Sequence, residues 1–257
     1  MSLSEIVTST ETNRAPKILL YGVHGIGKST FGAQLPKPIF LRTEDGMKGH
    51  QFEGIPRLPI ARSWEQVKAQ MAMLIGDEHN YRSLVVDSID WLERLIFEKV
   101  ATNKDVEDIN DIGYSAGYKM ATTHMMTFLS LCDELYRERK MLICFLGHAG
   151  ITKYDPPDGE AYDKYGLALH KWVVPLVYEW VDNAIFVNFK TRVKSSGDSF
   201  GQAKFKGLGG NERSMYTEFR ATHHAKNRYS LPYEMDFDEK TAWSSLEKLI
   251  FNNKTGE

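Results

Sequence analysis

The amino-acid sequence predicts an α/β fold with a mostly parallel, twisted β-sheet and helices on both of its faces. Short apolar runs alternate with helical segments as far as residue 188, and strands buried on both faces of a parallel sheet have this appearance. Beyond residue 188, a stretch rich in Gly, Lys and Ser predicts late antiparallel strands or a hairpin. Hydrophobic residues make up 42% and charged residues 26% of the 257 residues, which excludes a disordered or fibrous chain.

The strands are predicted from short apolar runs bounded by polar or turn-forming residues. The predicted parallel strands are residues 17–21, 38–41, 83–87, 141–146 and 183–187. Two later strands are predicted at 214–219 and 221–226. The segment 193–213 between the two groups is predicted to form an extended hairpin or a mobile loop.

The helices are predicted from apolar periodicity and from start and stop signals. The first helix follows a Gly-rich turn and ends before Pro36, because the residue before a proline avoids helical geometry. Ser63 and Gln66 have the spacing of a capping box, which predicts the start of a second helix. The apolar positions of that helix are Val67, Met71 and Leu74. Further helices are predicted at 89–100, 117–139, 170–180 and 241–251, with a Pro/Gly/Asp-rich loop at 150–163.

Charge and composition exclude several kinds of protein. The chain has 32 Lys and Arg against 34 Asp and Glu, a net charge of -2, so it does not coat nucleic acid through bulk charge. Cys132 and Cys144 form no CxxC pair, which disfavours a disulfide framework and a thiolate zinc site. No apolar run reaches the ~18 residues of a membrane span, and the first residues do not resemble a signal peptide. We therefore expect a cytoplasmic protein with no membrane partner, a flexible arm at 1–15 and one domain at 16–257.

The strongest motif lies between the first predicted strand and the first predicted helix. Residues 22–29 read G-V-H-G-I-G-K-S, which matches the phosphate-binding pattern G-x-x-x-x-G-K-[ST] in the context that this motif requires. Its glycines let successive backbone N–H groups face an anion, and the helix that follows presents its positive end. The motif predicts that Lys28 contacts the β- and γ-phosphates of ATP and that Ser29 binds Mg²⁺. The predicted nucleotide-binding residues are Gly22, Val23, His24, Gly25, Ile26, Gly27, Lys28, Ser29 and Thr30.

Two acidic positions are predicted to complete this site. Asp87 ends a buried strand at the sheet edge where ligands bind, so we interpret it as the acid that holds Mg²⁺. The alternative is that Asp87 is the N-cap residue of the next helix, and it could fill both roles. Ser88 occupies the place where many P-loop ATPases have a catalytic Glu. Glu44, just after the second strand, is therefore the candidate that orients the attacking water, with Asp45 as its rival.

His148 ends the fourth predicted strand. A neutral polar side chain at this place could contact both the γ-phosphate and the loop that follows, and so report the state of the nucleotide. A purely structural role is the alternative.

Together, these residues resemble the RecA-type strand-exchange ATPases, and most closely the compact, core-only RecA-like proteins of bacteriophages that anneal single strands. The resemblance rests on Thr43-Glu44, on the V-V-D-S of residues 85–88, and on His148 followed by 150–166. It implies a RecA-like P-loop NTPase fold in which residues 150–166 form a mobile DNA-binding loop. Residues 111–117 occupy the place where RecA-type proteins have another DNA-binding loop, earlier in the chain. RecA itself has Gln where this chain has His148, and we expect the family's separate terminal domains to be absent.

The resemblance extends to the triplet K-N-R at 226–228, within a match over roughly residues 16–235. Filaments of this family carry two basic residues around an Asn that reach the γ-phosphate bound by the neighbouring subunit. Lys226 and Arg228 fit that pattern, which implies a homo-oligomer with ATP at its subunit interfaces and an Arg228 comparable to an arginine finger. The catalytic residues implied in total are Lys28, Glu44, His148, Lys226 and Arg228.

Local charge is compatible with a single-stranded DNA partner. Residues 188–230 hold nine Lys or Arg and three acidic residues, a charge of +6 in a chain of net -2. Such a basic segment favours phosphate contact, which we predict for residues 190–206 as well as for 150–166. Aromatic residues that could stack on bases are Tyr154, Tyr165, Phe200 and Phe205.

The predicted function is a DNA-stimulated ATPase that promotes annealing or strand exchange in recombination. A P-loop kinase of a nucleotide or small molecule is one alternative, although the only Arg cluster lies near 213–228. Another is a module that binds ATP with little hydrolysis. A GTPase is disfavoured because residues 253–256 read N-K-T-G and lack the Asp of the base-reading motif.

Overall fold

The computed structural model of the protein describes residues 15–196 and 204–252. Almost all of the predicted arm at 1–15 therefore lies outside the described residues. The strands are β1 (Lys17–Gly22), β2 (Pro38–Arg42), β3 (Ser83–Asp87), β4 (Leu142–Tyr154), β5 (Tyr162–Leu167), β6 (Asn183–Ser196), β7 (Lys204–Tyr216), β8 (Lys226–Asn227) and β9 (Glu234–Asp236). The helices are α1 (Lys28–Ala33), α2 (Trp64–Gly76), α3 (Ile89–Asn103), α4 (Ala116–Arg139), α5 (Val174–Trp180) and α6 (Ala242–Asn252).

The strands form one nine-stranded sheet that confirms the predicted fold class. Its main order is β2-β3-β4-β1-β6-β7-β9, with β5 paired to β4 and β8 paired to β6. The strands from β2 to β6 in this order are parallel, while β5, β7, β8 and β9 pair antiparallel. Gly22 at the end of β1 lies opposite His148 of β4 and Val187 of β6. The Gly-rich loop thus starts at the carboxyl edge of the parallel strands, between β4 and β6.

The two faces of the sheet carry two hydrophobic clusters, because successive side chains of a strand point to opposite faces. Leu19 and Tyr21 belong to the larger cluster, which α2, α3, α4 and α5 cover. Ile18 and Leu20 belong to the second cluster, which α1 and α6 cover. Burial of each large apolar side chain contributes about 1.5–3 kcal/mol to the stability of the fold. The sheet therefore holds the loops at its edge in fixed positions.

Two antiparallel hairpins extend past that edge, one on each side of the Gly-rich loop. The acidic hairpin, residues 149–167, is formed by the second half of β4 and by β5, and it holds two lysines against four acidic residues. The basic hairpin, residues 188–214, is formed by β6 and β7 and holds six Lys or Arg against two acidic residues. Its residues 197–203 lie outside the described part of the chain.

Several predicted boundaries are corrected. The loop predicted at 150–163 is wrong at both ends, because β4 runs on to Tyr154 and pairs with β5. The Pro and Gly residues mark only the turn between these strands. The helix predicted at 170–180 begins at Val174, with Pro175 in its first turn, where proline removes no helical hydrogen bond. The strand predicted at 221–226 is wrong except at its last residue, because β8 comprises only Lys226–Asn227. The strand predicted at 214–219 is the end of β7, which stops at Tyr216.

The start of α2 agrees with its predicted cap, but only in part. The Ser63 hydroxyl accepts a hydrogen bond from the backbone N–H of Gln66 at 3.3 Å. The Gln66 side chain, in turn, accepts from the N–H of Arg62 rather than from that of Ser63. Val67, Met71 and Leu74 are buried as predicted. Among the described residues, no helix is both long and apolar enough to cross a bilayer.

Candidate nucleotide-binding site

The loop between β1 and α1 has the backbone geometry of a phosphate cradle. Gly25 and Gly27 have φ angles of 72° and 105°, in the left-handed region that favours glycine. A Cβ on Gly22 would lie 2.2 Å from the carbonyl oxygen of Val187, and one on Gly27 would lie 3.0 Å from Nη1 of Arg213. The loop can therefore pass close to both neighbours only because these positions carry no side chain.

Lys28 is buried at the mouth of this cradle. Its Nζ donates to the carbonyl oxygens of Gly22 at 3.1 Å and Val23 at 3.0 Å. Burial lowers the pKa of Lys28, against the opposing influence of the nearby acidic groups. A buried ammonium held only by neutral carbonyls is well placed to exchange them for phosphate oxygens, which offer it a full negative charge.

Ser29 and Asp87 form a pair beside Lys28. The Ser29 hydroxyl donates to Oδ2 of Asp87 at 2.8 Å, and Asp87 is 4% exposed. Burial raises the pKa of Asp87 to about 6, because a charge in this place is poorly solvated. A hydroxyl and a carboxylate are oxygen ligands that suit Mg²⁺, and a cation would stabilise the ionised form of Asp87. The pair thus fits the predicted ion.

The remaining ligands of such an ion would come from phosphate oxygens and water. Within residues 15–196 and 204–252, no group of three or more His, Cys, Asp or Glu side chains could hold a metal alone. Mg²⁺ keeps several waters and uses one or two protein groups together with substrate phosphates. The N-cap role considered for Asp87 is wrong, because Ser88 occupies the N-cap position of α3.

Thr43 joins the ends of β2 and β3 and so positions the residue that follows it. Its hydroxyl donates to the carbonyl oxygen of Ser88 at 2.7 Å and accepts from the N–H of the same residue at 3.0 Å. Its own N–H donates to the carbonyl oxygen of Asp87 at 2.9 Å. Glu44 is thereby held beside the pair of Ser29 and Asp87, and its side chain lines the same cavity.

Asp45 has different surroundings from its neighbour Glu44. Its carboxylate binds Nζ of Lys48 at 3.0 Å on the surface, and the hydrogen bond from Lys48 lowers its pKa. Asp45 is not among the residues that line the cavity, whereas Glu44 is. Of the two acids left open by the sequence, the structure brings Glu44 to the cradle.

His148 lines the cavity and is held by a buried carboxylate on α3. Its Nδ1 lies 2.9 Å from Oδ2 of Asp90, and its backbone N–H donates to Oδ1 of the same residue at 3.1 Å. Burial alone would raise the pKa of Asp90, but the hydrogen bonds and charge of His148 outweigh it and leave this pKa lowered. Since a carboxylate accepts, Nδ1 carries the proton, and Nε2 is the ring atom left to act on a ligand.

The side chain of His24 adds a contact that the motif does not predict. Its ring stacks on that of His148, with centroids 4.1 Å apart. The charge of His148, followed by burial and the charge of Lys28, lowers the pKa of His24. The phosphate loop and β4 are therefore linked through two stacked imidazoles that face the cavity.

The cavity itself has a volume of about 390 Å³. Its lining residues are His24, Gly25, Ile26, Gly27, Lys28, Ser29, Thr30, Glu44, Gly46, Gln51, Phe52, Asp87, His148 and Glu239. Glu44 follows β2, Asp87 is the last residue of β3, and His148 lies within β4 rather than at its end. These three strands lie on one side of β1 in the sheet order. Glu239 follows β9 and lies on the other side of β1, where Arg213 of β7 contacts it. No sequence motif singles out Asp90, Arg213 or Glu239.

Lys226 and Arg228 are not brought to the cavity of their own chain. β8 pairs with the first residues of β6, at the opposite edge of the parallel strands from the phosphate loop. Nζ of Lys226 donates to three carbonyl oxygens at the end of α5, at distances of 2.7–3.0 Å, which engages all of its donors. These carbonyls belong to Tyr178, Glu179 and Val181. Arg228 forms an ion pair with Asp182 at 3.2 Å. Their predicted role toward a neighbouring subunit stays a prediction.

The predicted stacking aromatics fall into three groups. The ring of Tyr165 stacks on Phe186, with centroids 5.1 Å apart, and packs against the larger core cluster, so its stacking on a base stays a prediction. The ring of Tyr154 faces Nζ of Lys164 at 3.8 Å. Phe200 lies outside the described residues, as does the side chain of Phe205.

One class of protein accounts for this arrangement. A glycine cradle at the carboxyl edge of a parallel sheet, with a buried Ser–Asp pair beside it, is how P-loop NTPases hold a nucleotide, and the present sheet has the RecA-like form of that fold. A protein-family model described as an AAA domain matches residues 14–229, and the chain belongs to this family. Family membership assigns ATP binding and ATPase activity at the level of the class, with Mg²⁺ as the usual ion. A search of the curated proteins found no match.

Proposed function

We propose that this protein is a DNA-stimulated ATPase that assembles on single-stranded DNA and promotes annealing or strand exchange. One observation carries the proposal. The phosphate loop lies between the bases of two hairpins, because β4 and β6 both pair with β1 and both continue past its end. A change at the nucleotide can therefore reach both hairpins directly, and one of them carries the positive charge that a nucleic acid requires.

Within the proposed site, different side chains of the protein would have different roles in the transfer of the γ-phosphate to water. Lys28 would leave the carbonyls of the loop and contact the β- and γ-phosphates. Ser29 and Asp87 would hold Mg²⁺, which neutralises charge that develops on the phosphates when it is bound. Glu44 would accept a hydrogen bond from the attacking water and orient it toward the γ-phosphate. Positioning and charge neutralisation of this kind are sufficient for the reaction.

Helix α3 supports the proposed coupling to the acidic hairpin. Asp90 in its first turn holds His148, directly before the hairpin begins. Glu93, one turn later, accepts hydrogen bonds from the N–H of His170 at 2.9 and 3.1 Å, just after the hairpin ends. α3 itself follows Asp87. One helix thus joins the metal-binding acid, the His148 sensor and both ends of the hairpin.

Charge favours the basic hairpin over the acidic one as the main DNA contact. Phosphate binding is dominated by Lys and Arg, and the acidic hairpin holds more acids than bases. We therefore assign the phosphate contacts to the basic hairpin, including the predicted segment 190–206. The predicted segment 150–166 would instead respond to the nucleotide through His148.

Assembly would place Lys226 of β8 and Arg228, directly after it, against the nucleotide of the next subunit. Arg228 is the better suited of the two, because its side chain is 56% exposed and forms one ion pair with Asp182. Lys226 would first have to release three carbonyl oxygens. We propose Arg228 as the residue that completes the neighbouring site, with Lys226 fixing the end of α5 that supports it.

The test is phosphate release from ATP with and without single-stranded DNA. We expect strong stimulation by DNA, and we expect Lys28→Ala to lose at least about a hundredfold in turnover while its circular dichroism spectrum stays unchanged. Transfer of phosphate to a small acceptor without DNA would favour a kinase. Tight ATP binding without turnover would favour a binding module.

A mixing experiment tests the shared site. Neither Lys28→Ala nor Arg228→Ala protein should turn over ATP alone, but mixed assemblies should contain interfaces with an intact Lys28 on one side and an intact Arg228 on the other. Partial recovery of activity is expected on mixing, and Lys226→Met should lose stability as well as activity. No recovery between two folded, assembling variants would contradict the proposed arrangement.

A further inference from the structure

Glu239 lines the cavity on the side of β1 opposite to Glu44, Asp87 and His148. Glu44, Asp87 and His148 occupy the cavity on the β4 side of β1, which identifies that side as the γ-phosphate end if the proposed function holds. Glu239 lines the same cavity from the β7 side. An extended nucleotide whose γ-phosphate points toward Glu44 therefore directs its sugar toward Glu239.

Electrostatics restrict what Glu239 can bind there. A carboxylate accepts hydrogen bonds only, and it repels the phosphates. Ribose offers two adjacent hydroxyl donors, which match the two oxygens of one carboxylate. In dinucleotide-binding folds an acidic residue holds the ribose in this way. The ribose hydroxyls are thus the part of a nucleotide best suited to Glu239.

The side chain of Glu239 is held in place by Arg213 of the basic hairpin. Nη1 of Arg213 donates to Oε2 of Glu239 at 2.8 Å and to the carbonyl oxygen of Ile26, in the phosphate loop, at 3.0 Å. The Arg213 side chain is 22% exposed, and its Nε is buried without a hydrogen-bond partner. Arg213 therefore fixes the carboxylate relative to the loop that binds the phosphates.

The backbone at this position is fixed as well. The Gln34 side chain, directly after α1, donates to the carbonyl oxygen of Glu239 and accepts from the N–H of Trp243. Oδ1 of Asp238 accepts from the N–H groups of Lys240 and Thr241 at 2.7 and 3.2 Å. Glu239 is thus tied to the phosphate loop through its side chain and to the end of α1 through its backbone. Such preorganisation is what a specificity-determining group requires.

We infer that Glu239 recognises the ribose hydroxyls of the nucleotide and that Arg213 is its positioning residue, so this pair selects ribonucleotides over deoxyribonucleotides. The inference rests on the proposed function, because it requires a nucleoside triphosphate in the cavity. It gives the basic hairpin a second role besides the proposed DNA contact, because Arg213 lies on β7, the second strand of that hairpin.

Calorimetric binding of ATP and of 2′-deoxy-ATP, each with Mg²⁺, tests the inference. The unaltered protein should prefer ATP by about tenfold, the value of a hydrogen bond to a charged group. Glu239→Ala should bind both nucleotides with nearly equal affinity. Glu212→Ala, which removes an exposed carboxylate next to Arg213, is the matched control and should keep the preference.

Variants of Arg213 separate a positioning role from a general loss of structure. Arg213→Ala should weaken the preference for ATP, and Arg213→Lys should restore part of it, because lysine also donates to a carboxylate. An unchanged ratio of the two affinities in Glu239→Ala would overturn the inference while leaving the proposed function intact. If the unaltered protein bound neither nucleotide, the proposed function would fall as well.

Discussion

The two hairpins beside the phosphate loop differ in charge and in how they connect to the nucleotide site. The acidic hairpin is linked to the part of the cavity lined by Glu44 and His148, because Asp90 and Glu93 of α3 bind the residues that flank it, His148 and His170. The basic hairpin is tied to the other end of the cavity, through Arg213 and its contacts with Ile26 and Glu239.

This difference indicates how one bound molecule can serve two purposes. Under the proposed function, loss of the γ-phosphate would change the surroundings of His148 first, whereas the contacts of Arg213 would depend on the part of the nucleotide that remains after hydrolysis. The acidic hairpin is therefore suited to respond to hydrolysis of ATP. The basic hairpin is suited to respond to whether any nucleotide is bound in the cavity. The predictions below test that division.

The largest effect is expected at Glu44, the carboxylate proposed to orient the attacking water. Glu44→Gln should reduce ATP turnover about 10²-fold, because an amide cannot take up the proton of the attacking water. ATP and DNA binding should persist, since the γ-phosphate remains in place. Asp45→Asn is the matched control, because Asp45 pairs with Lys48 on the surface. Equal losses in both variants, measured by phosphate release, would remove Glu44 from its proposed role.

A smaller effect is expected from the charge of the basic hairpin. The double variant Lys204→Ala/Lys206→Ala should weaken binding to single-stranded DNA about tenfold, with a shallower salt dependence, because fewer counterions are released. Lys153→Ala on the acidic hairpin should change the affinity little. Fluorescence titrations at several salt concentrations measure both quantities. The reverse ranking would assign the DNA contact to the acidic hairpin instead.

The link between His148 and α3 should govern coupling rather than binding. Asp90→Asn should reduce the stimulation of ATPase activity by DNA about fivefold, because an amide no longer fixes the His148 ring through charge. ATP affinity should change little, and Asp77→Asn, on the surface at the end of α2, should change neither quantity. An Asp90→Asn protein with full stimulation would show that the acidic hairpin is not coupled through His148.

The last effect concerns stability and its dependence on pH rather than activity. Burial raises the pKa of Glu93 to about 7, above the ~4.3 of an unfolded chain. The folded state therefore binds this proton more tightly, and the stability that the proton provides is present at low pH and lost as the pH rises through about 7.

The wild-type protein should accordingly lose up to about 2 kcal/mol more than Glu93→Gln between pH 5 and pH 8. Urea unfolding at these pH values measures the difference, and Glu98→Gln, exposed on the same helix, is the control. If the free energy of unfolding of all three proteins changed with pH in the same way, ionisation of Glu93 would not destabilise the folded state.

Local sequence was a good guide wherever one residue type is required at a fixed spacing. The cradle needs glycine at positions of positive φ, and the Ser29 and Asp87 pair needs an acid at the end of a buried strand, so both could be predicted. Turns marked by Pro and Gly were recognised as well. Their extent was overestimated at 150–163, because strand pairing with a distant segment decides where a hairpin begins.

Residues without a motif could not be found in this way. Arg213 and Glu239 lie 26 positions apart and meet only because β9 and the start of α6 bring the second beside β7. Asp90 and His148 are 58 positions apart and meet because β3 and β4 are neighbours. The choice between Glu44 and Asp45 depended on which of two adjacent carboxylates faces the cavity.

The sequence by itself determined the α/β class, the phosphate loop and the acid beside it, because backbone sterics and burial act on a few neighbouring residues. Only the tertiary structure decided which side chains share the cavity, which hairpin reaches which end of it, and that Lys226 and Arg228 lie at the opposite edge of the sheet. Those facts depend on the order and register of strands far apart in the chain, which no local pattern specifies.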